Sequence, residues 1–92
     1  MTLTLPEHLV IAQAATLRTA WLESLDTLES ASLQLDGTPT VKVDATGMAL
    51  LASLFLELDA RKKTVAWTQK PEVIASAAHD LGMARQLHLS SQ

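Results

Sequence analysis

Polar and apolar residues alternate along Thr2-Leu3-Thr4-Leu5, the two-residue period of a half-buried strand. Pro6 ends that run, because it has no N–H to give to a ladder. His8-Leu9-Val10-Ile11 reads as a short second strand. From Gln13 to about Leu25 the period lengthens. Ala14, Leu17, Trp21, Leu22 and Leu25 fall three or four apart as one helical stripe, with Arg18, Glu23 and Asp26 off it. No strong capping residue opens this helix. Ser32-Leu33-Gln34-Leu35 is a third strand, closed by the turn pair Asp36-Gly37, and Thr40 to Val43 is a short extended piece.

A second helix follows, with Met48, Leu51, Leu54, Phe55 and Leu58 as its stripe and Leu50 widening it. Arg61, Lys62 and Lys63 stand at its end, where cations suit the negative pole of the helix dipole. Thr64-Val65-Ala66-Trp67-Thr68 is a fourth strand. Pro71 pre-sets the first turn of a third helix, whose stripe is Val73, Ile74, Ala77, Ala78 and Leu81 and whose stop is Gly82. Ala84 to Leu87 suggests one more helical turn, after which the last residues are expected to fray. Strands joined through helices pair in parallel with right-handed crossovers. The order therefore predicts one α/β domain over residues 1–92: a mixed, mostly parallel sheet of about four strands, with three to four helices covering at least one face.

Composition narrows the function. A net charge of −3 supplies no basic field for nucleic acid. The chain has no cysteine, which removes disulfide scaffolds, thiol nucleophiles and cysteine-bound metals. His8, His79 and His88 do not pair at metal-ligand spacing, and Gly37, Gly47 and Gly82 are too scattered for a phosphate loop. No nucleophile, base and oxyanion donor can be assembled, so neither catalysis nor a cofactor is expected. The N-terminus lacks the basic start and apolar core of a signal peptide, and no apolar run reaches the ~18–20 residues that cross a bilayer. A cytoplasmic protein without membrane insertion is the expectation. Trp21 lies on a helical stripe and reads as core; Trp67 fits either the core or a surface groove. The charges at Glu57, Asp59 and Arg61 to Lys63 read as a solvated face.

The turn Asp44-Ala45-Thr46-Gly47 has two readings. With Asp44 as N-cap, the next three residues open the second helix, and the carboxylate accepts the N–H of Thr46 or Gly47. Caps of this kind are worth about 1 kcal/mol. Gly47 weakens the helix there, but its small size lets another backbone approach. The other reading is a recognition surface. A phosphate on the Thr46 hydroxyl would be drawn to the helix N-terminus and repelled by Asp44.

Over almost its whole length the chain resembles STAS domains, the fold of bacterial anti-sigma factor antagonists. The resemblance rests on Leu5-Pro6-Glu7-His8-Leu9, on Leu33-Gln34-Leu35-Asp36, on Val43-Asp44-Ala45-Thr46-Gly47-Met48-Ala49-Leu50-Leu51, and on Ala75 to Leu81 with Gly82-Met83-Ala84. It implies a non-catalytic module that binds a protein partner through Asp44, Ala45, Thr46, Gly47 and Met48. That partner would be an anti-sigma or histidine-kinase-type protein. The alternative is the ATPase of a phospholipid-transporting ABC system, with this chain as its STAS subunit. In such domains the residue after the Asp is often a Ser or Thr that a kinase phosphorylates to release the partner. Here that residue is Ala45, and Thr46, one position later, is the only hydroxyl in the turn and the candidate for phosphorylation.

Overall fold

Pro6 and the Asp36-Gly37 turn decide how the strands pair. The computed structural model describes residues 2–69 and 71–89. In chain order the elements are β1 (Thr2–Thr4), β2 (His8–Leu9), a 3-10 turn (Ile11–Gln13), α1 (Ala14–Asp26), β3 (Ser32–Asp36), β4 (Lys42–Val43), α2 (Ala45–Ala60), β5 (Thr64–Gln69) and α3 (Glu72–Asp80). Every described ladder is parallel. The expectation of a single sheet of about four strands is corrected: among the described residues five short strands form two sheets, β1-β3-β5 and β2-β4. Both sheets continue one alignment of the N-terminal segment with residues 34–43. The Leu5 N–H donates to the Asp36 carbonyl at 2.9 Å, and the Val41 N–H donates to the Glu7 carbonyl at 2.9 Å. Pro6 breaks the first partner. A turn closed by the Thr40 N–H on the Gly37 carbonyl, 3.0 Å, breaks the second.

The sheet has one covered face. Leu33 and Leu35 are buried and Leu3, Val65 and Trp67 partly so, whereas Thr2, Thr4, Ser32, Gln34, Thr64, Ala66 and Thr68 are all exposed. This is the period-two alternation read from the sequence. The helices supply the facing side chains: Trp21 and Leu25 from α1, Leu51, Leu54, Phe55 and Leu58 from α2, Ile74 and Ala78 from α3.

Several boundaries differ from expectation. The second strand stops at Leu9, and Ile11 opens the 3-10 turn that leads into the uncapped α1. Leu81, expected on the buried stripe of α3, is 49% exposed. α3 ends at Asp80, and Gly82 at φ 70° turns the chain back in the left-handed conformation glycine favours. Leu87 and Leu89, from the turn that follows, pack into the core instead. That turn is closed by the Leu87 N–H on the Met83 carbonyl at 3.0 Å. The expected fraying of the last residues falls on 90–92, outside the described residues. No helix among the described residues is long and apolar enough to cross a membrane.

Candidate functional site, a docking turn at the start of helix α2

Parallel strands that lead into helices gather the helix N-termini at the carboxyl ends of the strands, where α/β folds place their binding surfaces. Asp44 stands there, directly after β4 and before α2. Its backbone is extended, at φ −129° and ψ 178°, as an N-cap requires. Oδ1 accepts the Gly47 N–H at 2.7 Å, closing the first turn of the helix. Oδ2 accepts the Ile11 N–H at 3.0 Å, from a residue 33 positions earlier. One carboxylate thus fixes the helix start and pins the β2 exit to it. The donation from Ile11, then that from Gly47, holds the Asp44 carboxyl below the usual carboxylate range.

Gly47 makes this junction close. It is buried, and a β-carbon there would overlap the carbonyl oxygen of Leu9. The Leu9 carbonyl also accepts the Asp44 N–H at 3.2 Å, so β2, β4 and α2 meet backbone to backbone. Met48 is fully buried in the core. Of the five residues from Asp44 to Met48, Ala45 and Thr46 are exposed, Asp44 is half-buried, and Gly47 and Met48 offer no surface.

Two neighbours enlarge what is exposed. Ile11, whose N–H is held by Asp44, is 68% exposed, and Val41, three residues before Asp44, is 62% exposed. The sequence pattern concealed both, because it read them as strand residues. A shallow depression at the same end of the sheet is lined by Thr38, Thr40, Val41, Pro71, Glu72 and Ser76. The surface around the turn therefore carries the apolar anchors Ile11 and Val41 beside the Thr46 hydroxyl, with Lys42 exposed next to Val41.

The remaining candidates lie elsewhere. Trp67 is half-buried, donates its indole N–H to the Leu87 carbonyl at 2.9 Å, and tilts against Phe55 at 6.2 Å. His88 meets Phe55 edge-on at 5.2 Å, and His79 is exposed on α3. Arg61 joins the ends of two helices, reaching Asp26 at 2.9 Å and Glu57 at 3.0 Å. No cluster of three or more His, Asp or Glu side chains that could hold a metal occurs among the described residues. Neither a family model, nor a curated protein, nor a solved structure matches the chain.

Proposed function

We propose that the chain is a non-catalytic, STAS-like regulatory module that docks on a protein partner through the surface around Ala45 and Thr46. The observation that carries this reading is the combination of a rigid junction and an exposed rim of small and apolar residues. Asp44 and Gly47 lock the turn to β2, and Ala45, Thr46 and Ile11 project from it. A preorganised surface of this kind loses little entropy on binding. The partner is an anti-sigma or histidine-kinase-type protein.

Ala45 bears on how docking is controlled. It has no hydroxyl, so a kinase acting at the position after the Asp finds no acceptor. That favours constitutive docking and supports a second reading, a STAS subunit held on the ATPase of a phospholipid-transporting ABC system. Control by phosphate falls to Thr46, where added negative charge would be repelled by the Asp44 carboxylate and would be costly to desolvate in an apolar contact.

Photo-crosslinking in cells tests the docking surface. A photoreactive residue at Ala45 is expected to trap one protein, identifiable by mass spectrometry, while the same residue at Thr68 on the open sheet face does not trap it. Identical adducts from both positions, or none from Ala45, would refute the reading. Catalysis is tested separately: the purified chain is expected to hydrolyse neither ATP nor GTP above a buffer blank. Turnover that disappears when a residue of this chain is changed would contradict the proposal.

A further inference from the structure

α1 and α2 pack side by side but leave a small groove between them, about 70 Å³ in volume. Its floor is apolar: Trp21 and Leu22 from α1, Leu50 and Leu54 from α2. A cavity of about 150 Å³ takes a benzene ring, so roughly half that volume fits one branched aliphatic side chain. The groove continues from the docking turn. Thr46, Leu50, Ser53 and Glu57 fall four, three and four residues apart, on one face of α2. At about 1.5 Å of rise per residue, Leu50 lies roughly 6 Å along the helix from Thr46.

Two donors border this floor, and neither is used among the described residues. Trp21 is only 4% exposed, and a tryptophan so buried usually finds an acceptor for its N–H, as Trp67 does at the Leu87 carbonyl. Among the described residues the Trp21 N–H donates to no acceptor. No side-chain nitrogen or oxygen there is both shut off from solvent and without a partner, so the Trp21 N–H opens on the groove that Trp21 lines. Arg18, on the α1 wall, is exposed and forms no ion pair among the described residues. Glu57, the acid on the opposite wall, is already engaged by Arg61 at 3.0 Å.

We propose that the α1–α2 groove receives a segment of the protein that docks at the turn, seating one leucine- or valine-like side chain on its floor with a carboxylate beside it, facing Arg18. The volume selects the side chain. The two unused donors select the acceptor, since a carboxylate satisfies a guanidinium and an indole N–H together. The position, one turn of helix from Thr46, makes the groove an extension of the docking surface. Who brings the segment rests on the docking reading; the chemistry of the groove does not. A well-filled pocket beside a polar contact is where binding energy concentrates in an interface.

Two measurements test the proposal, with circular dichroism confirming the fold of each variant. The first titrates N-acetyl-leucine, which joins that side chain to a carboxylate, into the isotope-labelled full chain. Its two tryptophans give two indole N–H signals in NMR spectra. The Trp21 signal is expected to shift and saturate, while that of Trp67, held by the Leu87 carbonyl, stays in place. Acetate and N-acetyl-leucine amide, each lacking one half of the probe, are expected to bind about threefold more weakly or worse. Ser53→Phe, which covers the groove, is expected to abolish the shift, and Ser53→Ala to preserve it. The second measures affinity for the protein trapped through Ala45. Arg18→Glu is expected to lose about fivefold and Ser53→Phe about tenfold, while Arg85→Glu, the same charge change beyond α3, stays within about twofold of wild type. A Trp21 signal that does not move overturns the proposal. So do equal losses for Arg18→Glu and Arg85→Glu, or an affinity indifferent to Ser53→Phe. Self-association of the chain that Ser53→Phe abolishes would put a second copy in the groove and overturn it as well. If Ala45 traps nothing, the docking reading and the partner fall together, and a saturable Trp21 shift still upholds the chemistry of the groove.

Discussion

The starts of α2 and α3 differ most at their third residue. In α2 it is Gly47, where a β-carbon would strike the Leu9 carbonyl; in α3 it is Ile74, a large side chain fully buried in the core. The caps differ too. Asp44 accepts from Gly47 and from Ile11, whereas Pro71 makes no side-chain cap bond and Glu72 merely adds an acidic group to the first turn. α3 is thus anchored by apolar packing, as helices in small domains generally are. α2 is anchored by backbone contact and one shared carboxylate. Anchoring of the second kind consumes the buried side of the turn and leaves Ala45 and Thr46 outward on a fixed frame.

The sharpest way to break this comparison is to alter the two third residues. Gly47→Ala, which in an open helix would be stabilising, is expected to cost roughly 3 kcal/mol or more, because the Leu9 backbone must give way. Ile74→Ala is expected to cost about 2–5 kcal/mol for the opposite reason, a cavity. Urea denaturation measures both. A Gly47→Ala protein as stable as wild type would mean that β2 and α2 do not meet backbone to backbone.

The caps come next. Asp44→Ala removes acceptors from two N–H groups and is expected to lower Tm by about 5–10 °C, while Glu72→Ala moves it by no more than about 2 °C. Equal shifts in thermal scans would erase the distinction between the two starts. Asp44→Asn keeps one acceptor oxygen and should fall between wild type and Asp44→Ala.

Acid sharpens the same point. The Asp44 carboxyl is depressed in the folded state by the Ile11 and Gly47 N–H groups. Its contribution is therefore fully present above the ordinary carboxylate pKa and is lost as pH falls through the lower folded-state value. Asp36, depressed mainly by its bonds to Thr38, adds a contribution of the same sign. Wild type is expected to lose stability more steeply than Asp44→Ala on going from pH 5 toward pH 2. Parallel curves would show that Asp44 carries no folded-state bias. The smallest effect is expected from Arg61→Ala. Its ion pairs to Glu57 and Asp26 are largely solvated, so a shift of one or two degrees that fades in high salt is the expected outcome.

How much of this was legible in the sequence depended on range. The Asp44 cap follows from residue type and its place before an apolar helix, and alternation at Ser32 to Leu35 and Thr64 to Thr68 shows which sheet face is covered. The second bond of Asp44, to Ile11, joins residues 33 apart, and no local pattern encodes it. The split into two sheets was hidden for a similar reason: Pro6 announces one break, but only the paired segment shows that the Gly37–Thr40 turn breaks its partner nearby. Met48 lay within the docking motif, yet helical periodicity already set it on the buried stripe, and the structure places it there. Ile11 and Val41 read as strand residues, and their exposure depends on where each strand stops.

The most direct measurement is calorimetric titration of the protein trapped through Ala45 against four forms of the chain: wild type, Ala45→Arg, Thr46→Glu and, as a control on the open sheet face, Thr68→Glu. Folded Ala45→Arg is expected to lose at least about tenfold in affinity, about 1.4 kcal/mol. Thr46→Glu is expected to lose a smaller part, because one carboxylate imitates phosphate poorly. Thr68→Glu should bind within about twofold of wild type. Affinities unchanged by both turn variants would contradict docking at the start of α2 and leave Asp44 to Gly47 as the beginning of a helix and nothing more.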